Sequence, residues 1–162
     1  MNGINVTITD MMNCRDRRVS IQNELISKYD KPVLSFCMNI PGPVKTNEQI
    51  RKAFDSGKAE LLKALSAHNI TILHTEEFHE PSGDELIMAL DAPAEDIKTL
   101  ATEIEESHPL GRLFDMDVIR TDSMKLSRCT YRKCIICGCQ AQECARSRKI
   151  PWRNYRRRLR NY

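Results

Sequence analysis

Apolar positions in this chain recur every three to four residues in some stretches and crowd into short runs in others, and the switches between these patterns mark the elements. Residues 11–29 read as a helix, with Met11, Met12, Val19, Leu25, Ile26 and Tyr29 as its apolar contacts and Pro32 just past its end. Val33 to Ile40 (VLSFCMNI) is a run of strand formers closed by Pro41-Gly42-Pro43, which predicts a buried strand. Thr46 is expected to cap a second helix, with Gln49 three residues on. Ile50, Ala53, Phe54, Leu61, Leu62 and Leu65 form that helix's apolar face, with Gly57 as a weak point. Residues 70–78 and 85–90 predict two strands joined at Pro81-Ser82-Gly83-Asp84 as a hairpin. Pro93 suits the first turn of a third helix, where Ile97, Leu100, Ala101 and Ile104 share a face. That helix stops before His108-Pro109, and Leu113 to Ile119 closes the series as a strand.

The order from residue 33 to 119 is therefore β-α-β-β-α-β. It predicts an α+β fold of the ferredoxin-like kind, a four-stranded antiparallel sheet with two helices on one face. At 162 residues the chain is expected to be a single domain, 1–162. Within it, 11–29 is an N-terminal helix, 33–120 the ferredoxin-like core and 127–162 a Cys-rich, basic segment.

Composition narrows the class. Hydrophobic residues make up 41% and charged residues 29%, which fits a folded, water-facing protein and not a disordered one. No run approaches the ~20 apolar residues of a membrane span, and the first 18 residues do not read as a signal peptide. Seven cysteines are an odd number for a closed disulfide framework, and four of them lie between Cys134 and Cys144. The expectation is a reducing, cytoplasmic setting with thiols free or metal-bound. The net charge of +3 conceals an asymmetry: eight of the 25 basic residues follow Glu143, and no acidic residue does, so the first 144 residues carry −5. A basic end on an acidic body suits an anionic partner: phosphates, nucleic acid or an acidic protein surface.

Five clusters carry candidate chemistry. Asp115 and Asp117 alternate along a strand and share a face, where two carboxylates repel unless a cation lies between them or one keeps its proton. Mg²⁺ uses such oxygen ligands when it also holds substrate phosphates. An acidic outer face of an ordinary strand is the plainer reading. Gly111 and Arg112 precede the pair, the first permitting close backbone approach and the second a fork for phosphate oxygens. Pro41 to Thr46 leads into a helix start that favours an anion, with Lys45 as an added charge, or else is a rigid turn with a surface lysine. Arg15, Arg18 and Gln22 lie on one stripe of the first helix and suit a phosphate or nucleobase, or simply solvent. Cys134-x2-Cys137, with Cys139 and Cys144, is a half-site for Zn²⁺, the fourth ligand being left open between Cys139, Cys129 and a histidine, or else a set of unligated thiols. Trp152 to Arg158 interleaves basic and aromatic residues, which suits nucleic acid, an acidic protein or a solvated terminus.

From about residue 11 to about residue 146 the chain resembles the apo-citrate lyase phosphoribosyl-dephospho-CoA transferase family, also called holo-citrate lyase synthase. The likeness runs through Arg15-Asp16-x-Arg18 with Gln22, Pro41-Gly42-Pro43-Val44-Lys45, Ser107 to Val118, Ser127-Arg128 and Cys134-x2-Cys137-x6-Cys144-Ala145-Arg146. The resemblance implies a nucleotidyltransferase-type reaction. A serine of the citrate lyase acyl carrier (gamma) subunit attacks the α-phosphorus of 2′-(5″-triphosphoribosyl)-3′-dephospho-CoA, and pyrophosphate leaves. In-line displacement needs positioning and charge neutralisation. The implied roles are Mg²⁺ on Asp115 and Asp117, charge stabilisation by Arg112, and pyrophosphate binding by Lys45. Arg15, Arg18 and Gln22 would grip the remaining phosphates or the adenine, and Cys134, Cys137 and Cys144 are candidates for a structural zinc. His108 is expected either as general base or as the shaper of its loop.

Two other readings compete. An RRM-like RNA-binding module shares the element order and uses aromatics on its central strands. Here the first strand offers one Phe, the last offers two Asp, and the RRM signature is absent, so nucleic acid is the weaker expectation. A related transferase serving another carrier, such as that of malonate decarboxylase, also fits.

Overall fold

Side chains alternate along a strand, so every strand of a sheet offers one set of residues to each face, and here both faces are used. A computed structural model describes residues 3–128, 131–134, 136–148, 150, 151, 153, 154 and 157. The chain divides into two compact units, Met1–Leu126 and Ser127–Tyr162. The first contains α1 (Ile8–Tyr29), β1 (Val33–Met38), α2 (Glu48–Ala67), β2 (Thr71–Glu80), β3 (Gly83–Asp91), α3 (Ala94–Ser107) and β4 (Phe114–Ile119). A 3₁₀ turn at Gly111–Leu113 precedes β4. The four strands form one antiparallel sheet in the order β2-β3-β1-β4. The protein is α+β.

One sheet face carries Leu34 and Phe36 from β1, Leu86, Met88 and Leu90 from β3, and Phe114, Met116 and Val118 from β4. Phe54, Leu61 and Leu65 of α2 and Ile97, Leu100, Ala101 and Ile104 of α3 pack onto it. Phe36 stacks on Phe54 at 4.9 Å between ring centroids and meets Phe114 edge-on at 5.3 Å. Each such pair contributes about 0.5–1.5 kcal/mol beyond burial. Gly57 explains itself here: a Cβ on it would lie 2.7 Å from Phe36 Cζ and 2.8 Å from Phe114 Cζ. The weak point of the helix is the gap that admits the two rings.

The other face carries Val33, Ile87, Ala89 and Ile119, covered by Leu25 and Ile26 of α1. This helix begins three residues earlier than its apolar pattern predicts. Thr7 and Asp10 form a capping box, with Thr7 Oγ1 accepting from the Asp10 N–H at 3.1 Å and Asp10 Oδ2 accepting from the Thr7 N–H at 2.9 Å.

Three boundaries differ from expectation for local reasons. β1 ends at Met38, opposite Phe114, because its partner is no longer extended in the 3₁₀ turn Gly111–Leu113; the Asn39 N–H still donates to the Leu113 carbonyl at 2.7 Å. The cap of α2 is Asn47, whose Oδ1 accepts from the Ile50 N–H at 2.9 Å, while the Thr46 hydroxyl donates to Asp84 Oδ2 at 2.8 Å. Pro93 is the N-cap of α3, so the helix proper starts at Ala94.

In the second unit, an isolated antiparallel bridge pairs Lys133 with Gln140, and α4 (Ala141–Ser147) follows. The aromatic and basic stretch Trp152 to Arg158 falls largely outside the described residues.

Candidate active site

Backbone hydrogen bonds gather most of the candidate residues at one end of the sheet, where β1 leaves it and β4 enters. The Asn39–Leu113 bond ties the loop after β1 to the turn that holds Gly111 and Arg112. The Val6 N–H donates to the Pro43 carbonyl at 2.9 Å, which brings the start of α1 to the same loop. Lys45 lies in this loop, and its Nζ donates to the Ile40 carbonyl at 2.7 Å.

Register then fixes what faces α1. Cys37 is paired with Glu85 on one side and Asp115 on the other, and Ser35 with Ile87 and Asp117. Glu85, Cys37 and Asp115 therefore form one row across the face, with Ser35 and Asp117 in the next row. Asp115 and Asp117 are half-buried. Lys125 Nζ is ion-paired with Asp117 Oδ2, so one carboxylate already holds a cation.

α1 lowers Arg18 onto this row. Its Nε donates to Glu85 Oε1 at 2.9 Å, and its Nη2 is paired with the same oxygen. Arg17 Nη2 reaches Glu85 Oε2 at 3.4 Å, while its Nη1 pairs with Glu80 and its guanidinium covers the Phe78 ring at 4.5 Å. The Cys14 thiol donates to Glu85 Oε1 at 3.2 Å. Glu85, only 2% exposed, thus links two arginines and a thiol beside Asp115. Glu85, Arg17, Cys14 and Cys37 did not emerge from the sequence. They come together through pairings between distant parts of the chain, such as Arg18–Glu85 and Cys14–Glu85 at separations of 67 and 71 residues, which no local pattern reports.

Electrostatics follow from this packing. Burial pushes the Cys37 thiol up to about 12, with Asp115, Glu85 and Asp117 adding to the rise and Arg18 opposing it. Cys37 is a neutral thiol at neutral pH and not a nucleophile. Cys14 is raised too, by burial first and then by Glu85. Burial disfavours the Arg18 charge, but Cys37, Glu85 and Cys14 outweigh it, and the guanidinium is held above its ordinary value.

The other candidates lie as follows. Gln22 is buried on the sheet side of α1, two turns after Cys14 and one after Arg18. Arg15 is exposed, on the flank of α1 away from Arg17. Arg112 is half-buried in the turn before β4. Gly111 is buried, and a Cβ on it would run into the Glu105 carbonyl, which is a packing reason for glycine there. His108 lies on the opposite side of the sheet from the two Asp residues. Its ring packs on Phe114 at 4.8 Å, Nδ1 accepts from the Leu110 N–H at 3.0 Å, and Nε2 lies 3.2 Å from Ser56 Oγ of α2. With both ring nitrogens engaged, His108 shapes the loop that holds Gly111 and Arg112. In the second unit, the Sγ atoms of Cys134, Cys137 and Cys144 lie within 4.8 Å of one another.

Among the described residues the central strands carry no aromatic on this face, and Phe78 of the edge strand β2 is covered by the Arg17 guanidinium. β1 and β3 present Val33, Ser35, Cys37, Glu85, Ile87 and Ala89 on that face, and Phe36 is buried on the other side. It offers no stacking surface for RNA bases.

Carboxylates and arginines thus share one face of the sheet. The model of the apo-citrate lyase phosphoribosyl-dephospho-CoA transferase family matches residues 6–161. Proteins of that name from Citrobacter koseri, Escherichia coli O157:H7 and Shigella boydii serotype 18 are each 34% identical over 147 residues, spanning 88% of this chain and 80% of theirs. The protein is a transferase, and the chain belongs to the apo-citrate lyase phosphoribosyl-dephospho-CoA transferase family. Among the described residues no helix is long and apolar enough to cross a membrane.

Proposed function

We propose that this chain transfers the 2′-(5″-triphosphoribosyl)-3′-dephospho-CoA prosthetic group to a serine of the citrate lyase acyl carrier (gamma) subunit, in the cytoplasm, with release of pyrophosphate. The sheet order β2-β3-β1-β4 with α2 and α3 on one face fits a split βαβ, ferredoxin-like core. The observation that carries the reading is the convergence of Arg18 and the Asp115–Asp117 pair on the same sheet face.

The serine oxygen forms a bond to the α-phosphorus, the α–β phosphoanhydride bond breaks with pyrophosphate as leaving group, and the serine proton passes to solvent. Phosphoryl chemistry of this kind is accelerated by holding the reactants in line and offsetting the charge on the phosphate oxygens. Arg18, with Gln22 beside it and Arg15 on the flank, binds the donor's phosphates or adenine. Arg112 stabilises charge on the transferred group, and Lys45, on the loop that meets it, binds the departing pyrophosphate. The donor set at Asp115 and Asp117 fits Mg²⁺, two half-buried carboxylates on one face, with Asp117 exchanging its Lys125 partner for the ion. When bound there, Mg²⁺ supplies positive charge to the phosphate oxygens.

The test combines the protein with apo carrier, the triphosphoribosyl donor and Mg²⁺. A mass increase on the carrier serine with stoichiometric pyrophosphate is expected. No modification of this carrier, with modification of the malonate decarboxylase carrier instead, overturns the substrate. Asp115→Asn with full activity and unchanged Mg²⁺ dependence overturns the metal assignment.

A further inference from the structure

We propose that the second unit is built around a zinc ion held by four thiolates, those of Cys134, Cys137, Cys139 and Cys144. Its backbone is shaped for such a site without the metal. The Gly138 N–H donates to the Cys134 carbonyl at 3.0 Å and the Cys134 N–H to the Cys139 carbonyl at 2.6 Å, so the chain folds back tightly on itself. Gly138 has φ 72°, the left-handed conformation that glycine adopts without strain. This Cys-x-x-Cys-Gly turn points Cys134 and Cys137 the same way.

The segments flanking the turn are pinned by the isolated Lys133–Gln140 bridge and by the Ala141 N–H to the Arg132 carbonyl at 2.8 Å. α4 then carries Cys144 back to the turn. Cys134, Cys137 and Cys144 have Sγ atoms within 4.8 Å of one another, with Cys137 and Cys144 at 3.6 Å. Cys139 is the fourth thiol of the segment, its Sγ 2.8 Å from that of Cys137, and it joins the three clustered sulfurs by turning its side chain toward them. Zinc–sulfur bonds of about 2.3 Å in a tetrahedron place sulfurs about 3.8 Å apart. The separations among Cys134, Cys137 and Cys144 suit that value, and a side-chain rotation of Cys139, next to Cys137, supplies the fourth sulfur.

Chemistry selects the ion. An all-sulfur, tetrahedral donor set suits zinc or iron, not magnesium or calcium. Each thiol releases its proton to solvent on binding, leaving a centre of net charge −2. Arg128, Arg132, Lys133, Arg146 and Arg148 stand in the same segment against a single acid, Glu143, and offset that charge. None of the six described cysteines forms a disulfide, so these four thiols are available as ligands. The site is drawn from residues of the second unit alone, so the proposal does not depend on the reading of the sheet face.

The full-length protein, purified without chelator, is analysed by elemental and native mass spectrometry. One zinc per chain is expected, retained through dialysis against EDTA. Replacement by Co²⁺ is expected to give the intense spectrum of tetrahedral cobalt thiolate. Cys137→Ser and Cys139→Ser are each expected to lower occupancy at least tenfold, while Cys129→Ser retains zinc. Neither core of the first unit includes these cysteines, so an unchanged melting transition of that unit separates metal loss from global unfolding. Zinc below a tenth of stoichiometry in the wild-type protein, its complete loss on brief dialysis, or stoichiometric iron overturns the proposal. Loss of zinc in Cys129→Ser but not in Cys139→Ser overturns the fourth ligand.

Discussion

Glu85 fixes Arg17 and Arg18 on the sheet face that carries the candidate acids, and its own chemistry shows how. A carboxylate 2% exposed is costly to bury unless paired, and here Arg17, Arg18 and Cys14 surround it. Glu85→Gln keeps the shape but removes the charge, leaving two partly buried guanidiniums weakly partnered. The expected loss is about 1–3 kcal/mol in urea unfolding, together with a rise in KM for the donor that Glu85→Asp partly reverses. Glu85 is thus a positioning residue, and an unchanged KM would remove that role. Asp115→Asn is expected to lower transfer on the order of 10²–10³-fold, the scale of losing one electrostatic contact to a transition state. Single-turnover rates of carrier modification check it. Cys37 gives a pH signature. Its thiol titrates near 9.0 when exposed and at about 12 in the fold, so above pH 9 the unfolded chain loses a proton that the native one keeps. Stability is therefore complete below pH 9 and falls from there towards pH 12, by at most about 1.4 kcal/mol per pH unit from this group. Cys37→Ser is expected to flatten that decline in denaturation series while leaving activity at neutral pH. The sequence made Asp115, Asp117 and Arg18 legible because their spacing is local, on one strand and one helix stripe. It hid Glu85 and Cys37, because the row they form exists only once β3, β1 and β4 are side by side.

At the scale of elements, β4 is an edge strand, and the residues that hold it also hold the two acids. Its outward backbone groups at Met116 are taken up by α3. Lys98 Nζ donates to the Met116 carbonyl at 3.0 Å, and Glu105 Oε1 accepts from the Met116 N–H at 2.8 Å. Both side chains are buried, an unusual place for Lys and Glu that the edge strand accounts for. Further along, the Leu126 N–H donates to the Val118 carbonyl at 2.8 Å. Glu105→Gln retains an acceptor and is expected to cost little, whereas Glu105→Ala exposes a buried N–H and is expected to cost about 1–3 kcal/mol by thermal or urea unfolding. Equal costs would show that charge, not the hydrogen bond, is what matters there. Strand and helix order was readable because apolar period follows burial, and both cores are drawn from it. The ends were less so: Thr7 and Asn47 cap through side-chain geometry, and Thr46, equally able to cap, is instead drawn to the buried Asp84.

For the whole molecule, charge divides along the chain more sharply than structure does. The body to residue 144 carries −5, and the eight basic residues beyond it carry the positive charge. An acidic body and the proposed anionic donor repel at long range, so if the arginines beside Glu85 bind the donor they do so at contact distance. Salt separates contact from long-range action. Exposed charges are screened beyond about 10 Å at 0.1 M ionic strength, whereas partly buried pairs are screened much less. If the end steers an acidic carrier surface, deleting residues 151–162 raises KM for the carrier several-fold at low salt, and the difference from the full chain vanishes as ionic strength rises. KM for the donor, governed by the partly buried Arg18, stays the same in both chains and changes little with salt. A carrier KM that is unchanged by the deletion at low salt would eliminate steering by this segment and leave carrier recognition to the first 150 residues.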